Sequence, residues 1–111
     1  MPFMHSEGAA GRWRTFSAAE QMGNIGSEVH RSIAAFRAGD VQRREGAFVR
    51  ALELFDLTLQ DPRWGFHRKR EIGRAREAFC DALAGDNTYH TDLDSLDRYF
   101  TQFALAARAG R

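Results

Sequence analysis

Residues 17–39, SAAEQMGNIGSEVHRSIAAFRAG, decide the fold class. Ser17 and Glu20 have the spacing of a capping box, in which a hydroxyl and a carboxylate bond to free amides at the start of a helix. Apolar residues then recur every three or four positions, as on one face of a helix: Met22, Ile25, Val29, Ile33 and Phe36. Gly39 stands where helices commonly end in a left-handed residue. The stretch predicts an amphipathic helix that begins at Ser17 and ends before Gly39.

A second and a third helix follow the same logic. Asp40 is placed to cap a second helix that runs to about Gln60. The third helix begins either at Asp61-Pro62, which suit the N-cap and first helical position, or near Phe66, because Gly65 interrupts the earlier start. Its apolar stripe ends before Gly85, which provides the stop.

A fourth helix begins with Thr91-Asp92-Leu93-Asp94, which repeats the capping pattern with Asp in place of Glu. Its apolar residues alternate in steps of three and four, like a heptad seam: Leu93, Leu96, Phe100, Phe103 and Ala107. Four helices joined by short loops predict an all-α fold, a four-helix up-down-up-down antiparallel bundle.

The chain length of 111 residues fits a single domain. We place this domain at residues 13–111 and expect residues 1–12 to form a flexible tail, because they are small, polar and rich in glycine. Trp13 and Phe16 are expected to cover one end of the core.

Composition excludes several classes of protein. The net charge is +1, so the chain as a whole has no polyanion-binding composition. No apolar run approaches the roughly 20 residues that span a membrane. Cys80 is the single cysteine, so the fold needs no internal disulfide, and we expect a cytoplasmic location.

The first helix has a flank of small residues. At about 100° per residue, Gly23, Gly26 and Ser27 gather beside the apolar stripe. Glycine inside a helix costs about 1 kcal/mol relative to alanine, so two glycines here predict that another backbone approaches closely. That backbone belongs either to the same chain, as tight packing, or to a second subunit or a ligand.

The second helix is apolar on more than one side. Leu54 and Leu57 point away from the Phe48/Leu52/Phe55 sector, and Leu57 points nearly opposite to it. A helix that is apolar all round should be buried all round. We therefore expect a homodimer in which a partner helix covers this side; Leu105 on the fourth helix is a weaker instance of the same pattern.

Basic residues are concentrated between residues 63 and 76, with Trp64 and Phe66 interleaved. Aromatic rings can stack on bases while cations meet phosphates, so the segment offers candidate nucleic-acid contacts: Arg63, Arg68, Lys69, Arg70 and Arg74. A helical wheel spreads these cations around the axis, which favours a solvated or ion-paired surface instead.

No catalytic or metal-binding motif is evident, and no cofactor is expected. Glu-x-x-His pairs, which carboxylate-bridged metal sites in bundles use, do not occur. Cys80 flanks an apolar stripe, which is typical of a structural thiol. Arg76 lies near the apolar sector of its helix, so it requires a carboxylate partner, for which Asp56 and Glu53 are candidates.

Three segments together resemble a small uncharacterised family of prokaryotic helical proteins: residues 17–29, residues 51–58, and Tyr99-Phe100 with Phe103-Ala104. This resemblance covers most of the chain from Trp13 onward and implies no activity. More remotely, the four-helix pattern is similar to HEPN domains, some of which are ribonucleases and others partners of nucleotidyltransferases. Active HEPN members carry Arg, four to six residues and His, whereas Arg63 and His67 are separated by three, so no catalytic role is transferred.

These patterns favour a non-enzymatic helical protein that homodimerises and acts through protein contacts. The alternative is a nucleic-acid-linked function, either binding or HEPN-like processing, through residues 63–76. A third hypothesis is a small-molecule pocket between helices, lined by Trp64, Phe66 or Phe100.

Overall fold

The computed structural model describes residues 7–109, and throughout that range the regular structure is helical. The all-α prediction is therefore confirmed, with one helix more than the sequence indicates. The helices are α1 (Glu7–Trp13), α2 (Ala18–Arg37), α3 (Val41–Leu59), α4 (Phe66–Ala84) and α5 (Leu93–Ala109).

The predicted ends of the first two long helices are confirmed. Ser17 caps α2 by accepting from the Glu20 amide, and the Glu20 carboxylate accepts from the Ser17 amide at 2.8 Å. Gly39 follows α2 with a φ of 72°, a left-handed conformation that glycine adopts without strain. Asp40 caps α3 by accepting from the Arg43 amide at 3.1 Å.

The start of the third predicted helix agrees with one of its two expected positions, and the capping residue of the fourth differs from the one expected. Helix α4 begins at Phe66 and not at Pro62, because the Asp61 carboxylate turns into the interior and bonds to Arg63. Helix α5 begins at Leu93. The side chain that caps its first turn is that of Asp92, whereas the sequence pattern predicted Thr91. The Asp92 carboxylate accepts from the Asp94 amide at 3.2 Å and from the Ser95 hydroxyl at 2.9 Å.

Helix α1 occupies residues that the sequence assigns to a flexible tail. Of the expected tail 1–12, residues 1–6 lie outside the described range, and the remainder belongs to α1. Trp13, at its end, is buried, as expected for a residue that covers the core. Its indole donates to the Thr58 hydroxyl at 2.8 Å, and its ring meets Phe16 edge to face. A helix this short depends on such tertiary contacts for its stability, so the local sequence pattern does not predict it.

Helix α2 is the central element, since it packs extensively against both α3 and α5. The core contains its whole predicted stripe except Phe36, which is partly exposed. Phe55 of α3 joins the layers, with its ring centroid 6.1 Å from that of Phe79 and 5.8 Å from that of Phe100. Helix α4 packs less closely against α5, which leaves a groove between them. Within residues 7–109, no helix has the length and hydropathy needed to cross a bilayer.

Candidate functional site

The start of helix α4 concentrates positive charge where a helix is already positive. Gly65 occupies the N-cap and supplies no side-chain hydrogen bond, and the first turn contains no acidic residue. Arg68, Lys69 and Arg70 follow immediately. Free backbone amides and the helix dipole give a helix N-terminus a partial positive charge, so cations there are unfavourable and anions favourable. The arrangement lowers helix stability and raises affinity for an anion.

Arg63 differs from the other candidate cations because it is engaged within the chain. Its guanidinium donates to the Asp61 carboxylate at 2.7 Å and to the Phe16 carbonyl at 2.8 Å. Asp61 is fully buried, and the Arg63 guanidinium beside it holds the pKa of that carboxyl well below its usual range. Arg63 therefore has a structural role within the chain, and its contact with nucleic acid stays a prediction.

The remaining four cations stay without carboxylate partners among residues 7–109. Arg68, Arg70 and Arg74 are exposed, Lys69 is partly exposed, and no salt bridge of the described chain includes any of them. The Arg68 guanidinium lies 5.0 Å from the centre of the Trp64 ring. The ion-paired interpretation of this segment thus holds for Arg63 and not for these four residues.

Arg70 and Arg74 lie on the same side of α4 and border the groove toward α5. The groove has a volume of about 540 Å³ and is lined by His67, Arg70, Glu71, Arg74, Ala75, Leu96 and Tyr99. Arg68 faces Trp64, in agreement with the spread of cations around the helix, whereas the spacing of His67, Arg70 and Arg74 brings these three together at the groove. Sequence periodicity could have found them, since they follow steps of three and four.

Aromatic residues at the start of α4 differ in their accessibility. The Phe66 side chain is 72% exposed and meets the His67 ring edge to face. Trp64 is half-buried, and its indole donates to the Gln21 side chain at 2.8 Å. Phe100 is fully buried in the core. The three aromatics expected around a small-molecule pocket are thus not brought together in the α4–α5 groove.

The small residues of α2 pack against α5 of the same chain. A Cβ added at Gly26 would lie 2.7 Å from the Phe100 Cβ, and one at Gly23 would lie 3.2 Å from the Ala104 Cα. Ser27 remains exposed and donates to the Gly23 carbonyl at 3.3 Å. The close approach predicted at the two glycines is therefore made within the chain, which accounts for them without a second subunit.

The two leucines expected to meet a partner helix also have cover within the chain. Leu57 is 8% exposed and Leu54 is half-buried, and both belong to or pack on the core cluster. Helix α1 lies against α3, and its Trp13 bonds to Thr58, the neighbour of Leu57. The side of α3 that a four-helix monomer would leave solvated is thus covered by the helix that the sequence did not predict.

Two further expectations concern the contact between α3 and α4. Arg76 pairs with Asp56, with its Nε 3.3 Å from the carboxylate oxygen, so the predicted ion pair between helices is confirmed. Cys80 is partly buried on α4, and burial raises the pKa of its thiol. A thiol of raised pKa is a poor nucleophile, in keeping with a structural role.

Sequence reasoning missed a buried polar cluster formed by Gln21, Asp61 and Trp64. The fully buried Gln21 amide donates to the Trp13 carbonyl at 2.9 Å and to Asp61 at 3.0 Å, and accepts from Trp64. Each polar group is satisfied, so the cluster ties the start of α2 to the segment that precedes α4. Gln21 sits on an otherwise ordinary helix, and no spacing in the sequence marks it.

Comparison with known proteins adds no functional information. No protein-family model, curated protein or solved structure matches this chain. A function must therefore be inferred from the surface of α4 and its neighbours.

Proposed function

We propose that the protein binds single-stranded nucleic acid through the first half of α4. In this proposal Arg68, Lys69, Arg70 and Arg74 contact the phosphates, and the exposed Phe66 ring stacks on a base. Positively charged grooves that carry aromatic stacking residues bind single strands with little sequence preference. Arg63 is engaged by Asp61, so we propose binding without catalysis.

The observation that carries the proposal is the uncapped, cationic first turn of α4. The N-termini of α2 and α3 are capped by the side chains of Ser17 and Asp40, whereas that of α4 has no side-chain cap. Basic residues at this position oppose the helix dipole, a contribution of about 0.3–1 kcal/mol per charge at an exposed site. A bound phosphate would offset this unfavourable interaction, because it accepts hydrogen bonds from the free backbone amides and its negative charge attracts the basic side chains.

The exposed Phe66 supports a strand over an isolated anion. The Phe66 side chain is 72% exposed beside several cations, so its ring is accessible for stacking on a base. Base stacking on an aromatic ring contributes about 1–3 kcal/mol. The exposed Phe66 ring and the uncapped cationic N-terminus of α4 lie within one helical turn, so a single strand could contact both.

The test compares two charge reversals at equivalent helix positions. Arg68 and Arg43 each lie three residues after an N-cap, and the Arg43 side chain is 85% exposed. Arg68→Glu should weaken binding of a fluorescein-labelled single strand at least tenfold, measured by anisotropy at low salt. Arg43→Glu should leave binding unchanged. Equal effects of the two variants, or no anisotropy change with the wild-type protein, would contradict the proposal.

Salt dependence gives an independent measurement. Single strands release about 0.7 counterions for each phosphate that a cation neutralises. Engagement of three or four cations therefore predicts a slope of about −2 to −3 in a plot of log affinity against log salt concentration. A slope near zero would exclude phosphate contacts as the source of the affinity.

A homodimer that acts through protein contacts is the second candidate function. Leu105, which is 56% exposed on α5, is the observation that favours it. Light scattering at several protein concentrations, with Leu105→Gln as the variant, tests it directly. A salt-insensitive dimer that the variant disrupts would support this function, and a monomer at every concentration would end it.

We also propose that α2 to α5 form the four-helix up-down-up-down bundle expected from the sequence. Three contacts support it: Glu28 with Arg50, His30 with Asp97, and Asp56 with Arg76. His30 with Asp97 and Arg37 with Asp94 pair in opposite chain order, which is the order expected for antiparallel α2 and α5. Nuclear Overhauser effects between these helices would test the arrangement.

A further inference from the structure

The α4–α5 groove gathers three basic side chains on one wall. His67, Arg70 and Arg74 follow one another on the same side of α4, each about one turn from the next. Leu96 and Tyr99 of α5 form the opposite wall. A volume of about 540 Å³ lies within the range of small-molecule sites.

Glu71 is the acidic residue that lines this groove, and it forms no salt bridge with Arg70 or Arg74. Glu71 forms none of the ion pairs recorded for residues 7–109, and its charge acts on the Tyr99 hydroxyl. Burial, followed by this negative charge, raises the pKa of Tyr99 to about 12. The hydroxyl is therefore neutral at physiological pH. Its oxygen is buried and lies beside the Glu71 carboxylate.

We infer that this groove binds a phosphate monoester. A monoester is largely a dianion near neutral pH and presents three terminal oxygens, which match two guanidinium groups and an imidazole. Arginine is suited to this role because its planar fork donates two parallel hydrogen bonds to a phosphate. Leu96 and the Tyr99 ring provide an apolar wall for the organic part of the ligand.

The monoester could come from two sources that share this chemistry. It is either the phosphorylated end of a strand, in which case the inference rests on the proposed function, or a free organic phosphate. A phosphodiester within a strand carries one charge and two free oxygens, so it uses fewer of the donors that the groove provides. The groove therefore adds a preference for ends to the general affinity of α4.

The experiment uses phenyl phosphate as the probe and isothermal titration calorimetry as the measurement. Dimethyl phosphate, a monoanionic diester, and sulfate, a dianion with no organic part, are the comparison ligands. Phenyl phosphate should bind at least tenfold more tightly than either. Arg74→Gln should weaken its binding at least tenfold, whereas Arg43→Gln, at an exposed position on α3, should leave it unchanged.

Three results would overturn the inference. They are absence of phenyl phosphate binding at millimolar concentration, equal binding of dimethyl phosphate or sulfate, and equal effects of Arg74→Gln and Arg43→Gln. Thermal melting of the Arg74→Gln and Arg43→Gln proteins provides a further check, because both arginines are exposed and both proteins should melt as the wild type does. Equal melting temperatures show that any affinity lost in Arg74→Gln arises at the groove and not from unfolding.

Strands with and without a 5′-phosphate separate the two sources. Tighter binding of the phosphorylated strand by the wild type, lost in Arg74→Gln, identifies a strand end as the ligand. Phenyl phosphate binding with no preference between strands supports the inference with a free organic phosphate as the ligand. Strand binding without phenyl phosphate binding overturns the groove inference and leaves the proposed function intact, and the reverse result overturns only the proposed function.

Discussion

Replacing Gly26 by alanine tests whether the small-residue flank of α2 serves the fold of one chain. Gly26 is buried, and its missing Cβ would lie 2.7 Å from the Phe100 Cβ and 3.4 Å from the Phe100 carbonyl oxygen. These atoms are fixed to the α5 backbone, so no side-chain rotation relieves the contact. To reach ordinary van der Waals separation, the two helices must move apart by about 1 Å.

The expected change in stability follows from two opposing contributions. Overpacking of a close helix contact costs about 1–3 kcal/mol, and the better helix propensity of alanine returns about 1 kcal/mol. Because the contact at 2.7 Å is severe, its cost falls in the upper half of this range, and we expect Gly26→Ala to lower the free energy of unfolding by about 1–2 kcal/mol. Gly73 lies inside α4 with no neighbouring atom within 4 Å of its would-be Cβ, so Gly73→Ala should raise that free energy by about 1 kcal/mol.

Urea denaturation followed by circular dichroism at 222 nm measures both variants under the same conditions. A difference of about 2–3 kcal/mol between them is expected, with unchanged denaturant slopes and no dependence on protein concentration. If Gly26→Ala were as stable as Gly73→Ala, the close approach of α2 and α5 would be refuted. A loss that grew on dilution would instead assign Gly26 to a contact between subunits.

Three other variants or measurements follow from the described contacts. Because Arg63 holds the pKa of Asp61 below its usual range, the ionised carboxylate stabilises the fold above its unfolded pKa of about 4, and that stability is lost as pH falls. Asp61→Asn should lower the free energy of unfolding by about 2–3 kcal/mol at pH 7 and flatten the acid side of a plot of urea midpoint against pH. An unchanged acid side would contradict the ion pair between Asp61 and Arg63. Burial raises the pKa of Cys80, so iodoacetamide should modify the native protein far more slowly than the urea-unfolded chain at pH 8, and equal rates would contradict the structure. Gly65→Asp should add a side-chain N-cap to α4 and raise the free energy of unfolding by a few tenths of a kcal/mol. It should also weaken strand binding, because the carboxylate competes with phosphate for the same amides. A gain in affinity for the strand would contradict the proposed function.

The helices α2 to α5 could be predicted because their signals are local. Capping residues such as Ser17 and Asp40 act on amides three positions away, and apolar residues every three or four positions define a face whatever it packs against. The close approach at Gly23 and Gly26 was also visible in the sequence, because glycine inside a helix is unfavourable without a packing reason. What approaches them could not be read, since Phe100 and Ala104 lie more than 70 residues away in the chain.

Contacts between distant segments decided the remaining features. Helix α1 is tied to α3 by the bond between Trp13 and Thr58, so local propensity did not reveal it. The homodimer expected from the apolar side of α3 stays a prediction. Asp61 has the local sequence of an N-cap, yet the bonds from Gln21 and Arg63 turn it inward.

The same distinction separates the two parts of the candidate site. The positive charge at the start of α4 is a property of its own sequence, because the cations, the glycine cap and the absence of acids all lie within one segment. The groove that brings His67, Arg70 and Arg74 opposite Tyr99 exists only because α5 packs closely on α2 and less closely on α4. The local sequence therefore determines the helices and the charge that each one carries. The spacing between helices depends on side chains from the whole chain, and this spacing determines where a ligand could bind.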